Sequence, residues 1–195
     1  MRKSDKLIIL GDLIDRGFDS KGVLDTVLLL IESGFDVTCL KGNHEAMFLD
    51  AIKSEENLGA WLMNGGGNTL SSFLTSSIHK IPMSYIKFIN SFKYYHEYEN
   101  FIFVHAALNM QIKNPYEDIQ TMLWSREAEK YIREDWLGDR ILVHGHNPTS
   151  QEAILQSISL NKKIICIDNG SFLTKPNFGA IGILQLETMN INFIK

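Results

Sequence analysis

Cysteine is scarce in this chain: its 195 residues hold only two, Cys39 and Cys166, too few for a disulfide framework. Each sits inside an apolar segment rich in β-branched residues, "DVTCL" and "IICID". Both therefore read as buried reduced thiols rather than a bridge or a nucleophile, which points to a cytoplasmic protein. No apolar run approaches the roughly 20 residues of a membrane span. The start, "MRKSDKLIIL", carries an apolar stretch too short for a secretory signal and is cut at once by Gly11 and Asp12. No membrane partner is expected. A basic excess is missing too: 19 Lys and Arg face 23 Asp and Glu, a net charge of -4, with the lysines scattered. That balance supplies no stripe for tracking a nucleic-acid backbone, so nucleic acid is not an expected partner. Internal repeats and low-complexity segments are absent as well. What is present is 45% hydrophobic side chains over a length suited to one globular domain spanning 1-195.

The apolar run "KLIIL" reads as a strand covered on both faces. "DSKGVLDTVLLLIESG" places Val23, Leu24, Val27, Leu28 and Ile31 at helical spacing, with Asp19 or Ser20 as cap and Gly34 as stop. "FDVTCL" returns as a second strand, so residues 7 to 40 form a strand-helix-strand unit with parallel strands. The middle reads as helical, over "HEAMFLDAIKSEE", "LGAWLMNGGGNTLSSFL" and a helix from near Pro82 through "MSYIKFINSF". The glycines at 65 to 67 read as a tight turn. From residue 94 the pattern becomes mostly β: a hairpin over "KYYHEY" and "FIFVHAAL", a helix around "WSREAEKYI", then strands over "RILVHG", "ILQSISL" with "KIICIDNG", and "GAIGILQLE" with "NINFI".

Four apolar strands end in polar clusters: Asp12, Asp15 and Arg16 after the first, Asn43, His44 and Glu45 after the second, His105 after "FIFV", and His144 and His146 after "ILV". Taken singly, each has an ordinary reading as a turn, a helix cap or a core histidine. Taken together they place carboxylate, amide and imidazole at strand ends, where ligand loops of parallel sheets gather. Such a mixed oxygen and nitrogen set suits Mn, Fe or Zn.

The strings "GDLIDRG", "KGNHE", "FVHA" and "VHGHNPT", in that order, resemble the calcineurin-like metallophosphoesterases, in particular the bacterial PPP-type serine/threonine protein phosphatases. The likeness extends to "WLMNGGGNTLSSF", "MLWSRE" and "IDNGSF". It implies an α/β fold, a four-layer αββα sandwich, with a centre of two divalent metal ions, Mn foremost and Fe or Zn as alternatives. By the same resemblance Asp12 is the bridging carboxylate, and Asn43, His105 and His146 complete the second metal's ligands. His44 is the general acid and Asp15 the carboxylate that orients it, while Arg16 and Arg126 grip the phosphoryl oxygens, where a planar fork of donors suits developing charge. His144, two residues before His146, is read as an outer-layer or surface histidine rather than the acid.

The chain departs from that pattern in one large respect. The family's first strand ends in Gly-Asp-x-His-Gly, and no Asp-x-His occurs here. The resemblance then implies an N-terminally truncated fold, a first metal site short of two ligands, about one metal bound per chain and little turnover by the chain as given. A fragment of a longer gene is the expected explanation. Ala107, Asn147 and Asn169 are smaller departures that touch the surroundings of the site. The function implied is hydrolysis of phosphomonoesters, on a phosphoprotein or a small phosphorylated substrate. The alternatives are a dinucleoside polyphosphate hydrolase of the same fold, a group that usually lacks the carboxylate at the position of Asp15, and a catalytically weak phosphate-binding remnant.

Overall fold

In the computed structural model, which describes residues 2–195, the run "KLIIL" supplies β1 (Lys6–Ile9) and "FDVTCL" supplies β2 (Asp36–Cys39). The two pair in parallel from Lys6 opposite Asp36 to Ile9 opposite Cys39. Helix α1 (Ser20–Glu32) connects them, capped by Asp19, whose carboxylate accepts from the Gly22 amide. Ser33 ends the helix, and Gly34 turns the chain at φ +80°. This is the expected strand-helix-strand unit. β1 differs from expectation in burial: Leu7, Ile8 and Ile9 are only half-buried. Among the described residues β1 pairs with β2 alone, so its other edge carries no strand.

The chain is a mixed α/β protein that divides into two units, one ending at Lys93 and one spanning Tyr94–Lys195. In the first, α2 (Asn43–Ala51), α3 (Glu55–Trp61), α4 (Gly67–Ser72) and α5 (Met83–Asn90) pack with α1 around Leu24, Val27, Phe48, Trp61, Leu70 and Ile89. Each such buried side chain contributes about 1.5–3 kcal/mol. The turn expected at the glycines takes the form of a kink at Gly65. Residues Leu62–Gly66 link α3 to α4 across this kink, where Gly65 leaves helical geometry at φ +106°. Gly66 lies against the Trp61 ring so closely that a Cβ there would sit 2.3 Å from it. The glycines therefore permit a close approach, and α3 and α4 meet at the non-helical Gly65.

In the second unit, β3 (Tyr95–Tyr98) and β4 (Phe101–Val104) form the expected hairpin around Glu99 and Asn100, with Glu99 at φ +52°. β4, β5 (Ile141–His144) and β6 (Ile164–Cys166) continue in parallel, giving the order β3-β4-β5-β6. Every residue of β4 is buried. Strands β7 (Ile181–Gln185) and β8 (Asn190–Ile194) pair as a separate antiparallel hairpin.

Two expectations fail here. "ILQSISL" is not a strand but the body of α8 (Gln151–Ser159), opened by Ser150, whose hydroxyl accepts from the Ala153 amide. Ile154 and Ile158, one helical turn apart, are covered while Leu155 is exposed, so this short apolar run has the helical period rather than the strand period. The helix placed around "WSREAEKYI" lies earlier, as α6 (Ile119–Trp124), because Asp118 caps it by accepting from the Thr121 amide at 3.0 Å. Ser125 leaves helical geometry at ψ 132°, and Ala128–Tyr131 is a single 3-10 turn before the short α7 (Glu134–Leu137).

Both cysteines are free; Cys39 is buried and Cys166 half-buried. Burial pushes the Cys39 thiol up to about 12, with the charge of Glu45 adding to the effect, and burial likewise pushes Cys166 up to about 11.

Two predictions follow from this packing. Gly66→Ala drives a methyl into the Trp61 ring and costs about 1–3 kcal/mol, whereas Gly67→Ala, with nothing within 4 Å of the new Cβ, stays within about 1 kcal/mol of the parent; urea melts of the two variants measure the difference. At pH 8 about one thiol in a thousand or fewer is ionised at such raised values, so Ellman's reagent leaves the native protein unlabelled and modifies both cysteines after unfolding.

Candidate functional site

The loop after β1 runs through backbone angles that side chains disfavour. Gly11 has φ +96°, Asp12 +56°, Asp15 +70° and Arg16 +53°. Left-handed conformations at non-glycine residues cost of order 1–3 kcal/mol each and persist only where the surroundings enforce them. Glu45, on the first turn of α2 and fully buried, does much of that enforcing. Its Oε2 accepts from the Asp12 amide at 2.9 Å and the Gly42 amide at 2.8 Å, and its Oε1 accepts from the Leu13 amide at 2.7 Å. One buried carboxylate thus ties the loop after β1 to the loop after β2. Lys41, also buried, has its pKa lowered by that burial, partly offset by the negative charge of Glu45.

Gly42 is required by closeness rather than by an unusual φ. A Cβ there would lie 2.1 Å from Asp12 Oδ1 and 2.6 Å from the Asp12 amide nitrogen. Asp12 Oδ1 accepts from the His44 amide at 3.3 Å, so the Asp12 carboxylate sits over the start of α2, where peptide dipoles favour negative charge. Asn43, the first residue of α2, is buried beside it in sequence.

His44 and Asp15 form a closed pair. His44 Nδ1 lies 2.8 Å from Asp15 Oδ2, with both side chains 2% exposed or less. An ionised carboxylate only accepts, so Nδ1 carries the proton and Nε2 is the free end of the ring. That Nε2 is buried with no hydrogen-bond partner among the described residues. Such an orphan costs about 1–3 kcal/mol and marks a nitrogen held for something other than folding. Arg16, next along the loop, is exposed; its amide donates to the Gly65 carbonyl at 3.4 Å.

The second unit assembles its own nitrogen pair. His105 follows β4 and is buried, and His146 follows β5 at φ +66°. The Gly145 amide donates to the His105 carbonyl at 2.8 Å, which joins the two strand ends. His105 Nε2 and His146 Nδ1 are 3.1 Å apart. Metal-nitrogen bonds of about 2.0–2.1 Å put two imidazole ligands about 2.9–3.4 Å apart at right-angled to tetrahedral geometry, so the spacing suits two ligands of one cation. His144 is not a surface residue: it is buried at the end of β5 with Nδ1 3.0 Å from the Gly145 carbonyl, and burial lowers its pKa. Arg126 is exposed, and its carbonyl accepts from Asn147 Nδ2 at 3.5 Å. Asn169 is structural: it donates to the carbonyls of Thr149 and Asn177 and accepts from the Ala180 amide.

Sequence reasoning missed the roles of Glu45, Trp61 and Thr69. Glu45 carried a readable signal, an acidic residue three positions after a glycine at a helix start. Trp61 and Thr69 reach Asp15 only through the helical kink, which no local pattern announces.

A family model described as calcineurin-like phosphoesterase matches residues 2–180. Over 64 residues the chain is 52% identical to serine/threonine-protein phosphatase 1 of Salmonella typhimurium and 47% identical to serine/threonine-protein phosphatase 2 of Escherichia coli, in each case over 33% of this chain and 27% of that protein. The match therefore spans about a quarter of these curated relatives. A symmetrical bis(5'-nucleosyl)-tetraphosphatase of Nitrosomonas europaea is 29% identical over 133 residues, covering 67% of this chain and 43% of that protein. Among solved structures, one provisionally assigned as a diadenosine tetraphosphatase superposes with a TM-score of 0.63 at 18% identity, over 98% of this chain and 80% of that one. A metallophosphoesterase from Sphaerobacter thermophilus superposes at 0.57 with 13% identity, over 97% and 76%. At those identities the superpositions speak for the fold, and with the family match over nearly the whole length they establish that this chain belongs to the calcineurin-like phosphoesterases.

Proposed function

We propose that the protein is a metal-dependent phosphomonoesterase acting on phosphoserine or phosphothreonine. The observation that carries this reading is the His44–Asp15 pair, held at 2.8 Å and buried. Alkoxides of serine and threonine are poor leaving groups and need a proton as they depart; a nucleoside polyphosphate leaves readily without one. A site that keeps a buried carboxylate to hold one imidazole in one tautomer suits the first chemistry. The partial identity to two serine/threonine phosphatases supports the same substrate class. The second reading, a dinucleoside polyphosphate hydrolase, has its support in the Nitrosomonas relative and one structural neighbour.

His105 and His146 would hold a divalent ion, and Asp12 and Asn43 are the further donors that the motif resemblance implies. Carboxylate, amide oxygen and two imidazole nitrogens form a donor set suited to Mn, Fe or Zn, and the His105–His146 spacing fits it. Bound there, the ion supplies charge neutralisation at the phosphoryl group and activation of water. Arg16 and Arg126 grip the phosphoryl oxygens through their planar forks. With both ring nitrogens protonated, His44 gives the Nε2 proton to the departing oxygen and is left with the Nδ1 proton that Asp15 holds, so the carboxylate keeps the ring oriented through the transfer.

The expected metal content after dialysis against manganese is about one ion per chain, read by elemental analysis, and it falls in His105→Ala and His146→Ala. At high enzyme concentration, slow metal-dependent release of phosphate is expected from a phosphoserine peptide, more than from diadenosine tetraphosphate. His44→Asn slows the peptide reaction about a hundredfold or more. Faster cleavage of the dinucleotide, with little effect of His44→Asn on it, would establish the second reading instead.

A further inference from the structure

The side chain of Asp15 is surrounded by donors that the phosphatase reading does not use. Trp61 Nε1 lies 3.1 Å from Asp15 Oδ1 and 2.9 Å from Oδ2, so the indole proton is shared between both carboxylate oxygens. An indole nitrogen can only donate, so the direction of this bond is certain. Thr69 Oγ1 lies 2.7 Å from Asp15 Oδ1 and 2.9 Å from the Asp15 amide. Its single proton goes to the carboxylate while its lone pair receives the amide, which fixes the hydroxyl rotor. Ser20 Oγ, 3.1 Å from Thr69 Oγ1 and 3.1 Å from the same amide, must then donate to Thr69. The result is a directed chain from Ser20 to Thr69 to Asp15, with Trp61 closing the other side and His44 Nδ1 on Oδ2.

These groups lie away from solvent: Trp61 is 0% and Thr69 1% exposed. The Trp61 ring packs edge-on to Phe48, with centroids 5.4 Å apart, and against the bare Cα of Gly66. Its N–H is thereby aimed by sterics. Trp61 ends α3 and Thr69 lies in α4, and the glycine kink between those helices brings both donors to one carboxylate. A purely structural Asp15 would need its charge satisfied but would have no reason to hold a histidine whose other nitrogen is buried without a partner.

We propose that Trp61 and Thr69 are positioning residues for His44, clamping both oxygens of Asp15 so that Oδ2 holds the ring through its Nδ1–H and leaves Nε2 aimed at the departing oxygen. This rests on the phosphomonoesterase reading for its catalytic consequence, but the clamp itself can be observed without turnover.

The test compares phenyl phosphate with p-nitrophenyl phosphate, whose leaving group needs protonation far less. Trp61→Phe keeps the packing on Phe48 and Gly66 and removes the N–H; Thr69→Val keeps the shape and removes the hydroxyl. Each is expected to lower kcat on phenyl phosphate about tenfold or more with KM little changed, and to lower it less on p-nitrophenyl phosphate. Thr69→Ser restores the hydroxyl and recovers most of the loss. In an Asp15→Asn background neither variant adds a further loss, because groups acting through one carboxylate are not additive. Equal losses on both substrates, or full additivity with Asp15→Asn, would overturn the proposal. In parallel, nitrogen-15 NMR of the imidazoles is expected to show one Nδ1–H tautomer of His44 in the parent and mixed tautomers in Trp61→Phe and Thr69→Val. An unchanged tautomer in correctly folded variants would also overturn it. If the parent hydrolyses neither ester while the variants show the tautomer change, the clamp stands and the phosphomonoesterase reading falls.

Discussion

The Glu45 carboxylate is the interaction on which the first unit's loops depend. It is buried, ionisable and located at the first turn of a helix, and it accepts from three backbone amides on two loops that are distant in sequence. A charge removed from water in this way is tolerable only with such a full set of donors. Because the donors are the amides of Asp12, Leu13 and Gly42, the satisfaction of that charge and the placement of the Asp12 carboxylate are the same event. Gly42 completes the arrangement by leaving room where any side chain would collide with Asp12. The left-handed backbone at Asp12 is the cost of that geometry, offset by hydrogen bonds rather than by the local sequence.

The same logic recurs around Asp15. Its carboxylate is satisfied by Trp61, Thr69 and His44, and its amide by Ser20 and Thr69. Helices α1, α3 and α4 each contribute to that shell, so the apolar packing of Leu24, Trp61 and Leu70 and the polar site are built by the same elements. A networked polar core of this kind is stable when complete and costly when any member is missing. The second unit uses a simpler device: adjacent parallel strands end with His105 and His146, and one backbone bond between Gly145 and His105 brings the imidazoles to 3.1 Å.

Much of the frame is legible in the sequence. The β1-α1-β2 unit, the Pro82 helix start, the hairpin at Glu99 and Asn100 and the paired final strands all follow from periodicity, caps and turn residues, which act over a few positions. The errors came where a local pattern has two solutions. "ILQSISL" alternates well enough for a strand, but the Ser150 cap and the turn-spaced Ile154 and Ile158 make it a helix. The glycines at 65 to 67 do break the helix, at Gly65, but that the break also seats Gly66 against the Trp61 ring is visible only in the fold.

For the site, the sequence by itself determined the chemistry on offer: which carboxylates, amides and imidazoles stand at strand ends, and the family motifs they compose. Those are properties of residue type and spacing, and family membership followed from them. What only the tertiary structure decided is how each group is held: that Glu45 spans two loops, that His44 Nδ1 rather than Nε2 meets Asp15, that His144 is buried, and that Trp61 and Thr69 converge on one carboxylate. Hydrogen-bond partnership between residues tens of positions apart depends on the angles between packed helices and strand ends, and a linear pattern does not encode those angles at any single place.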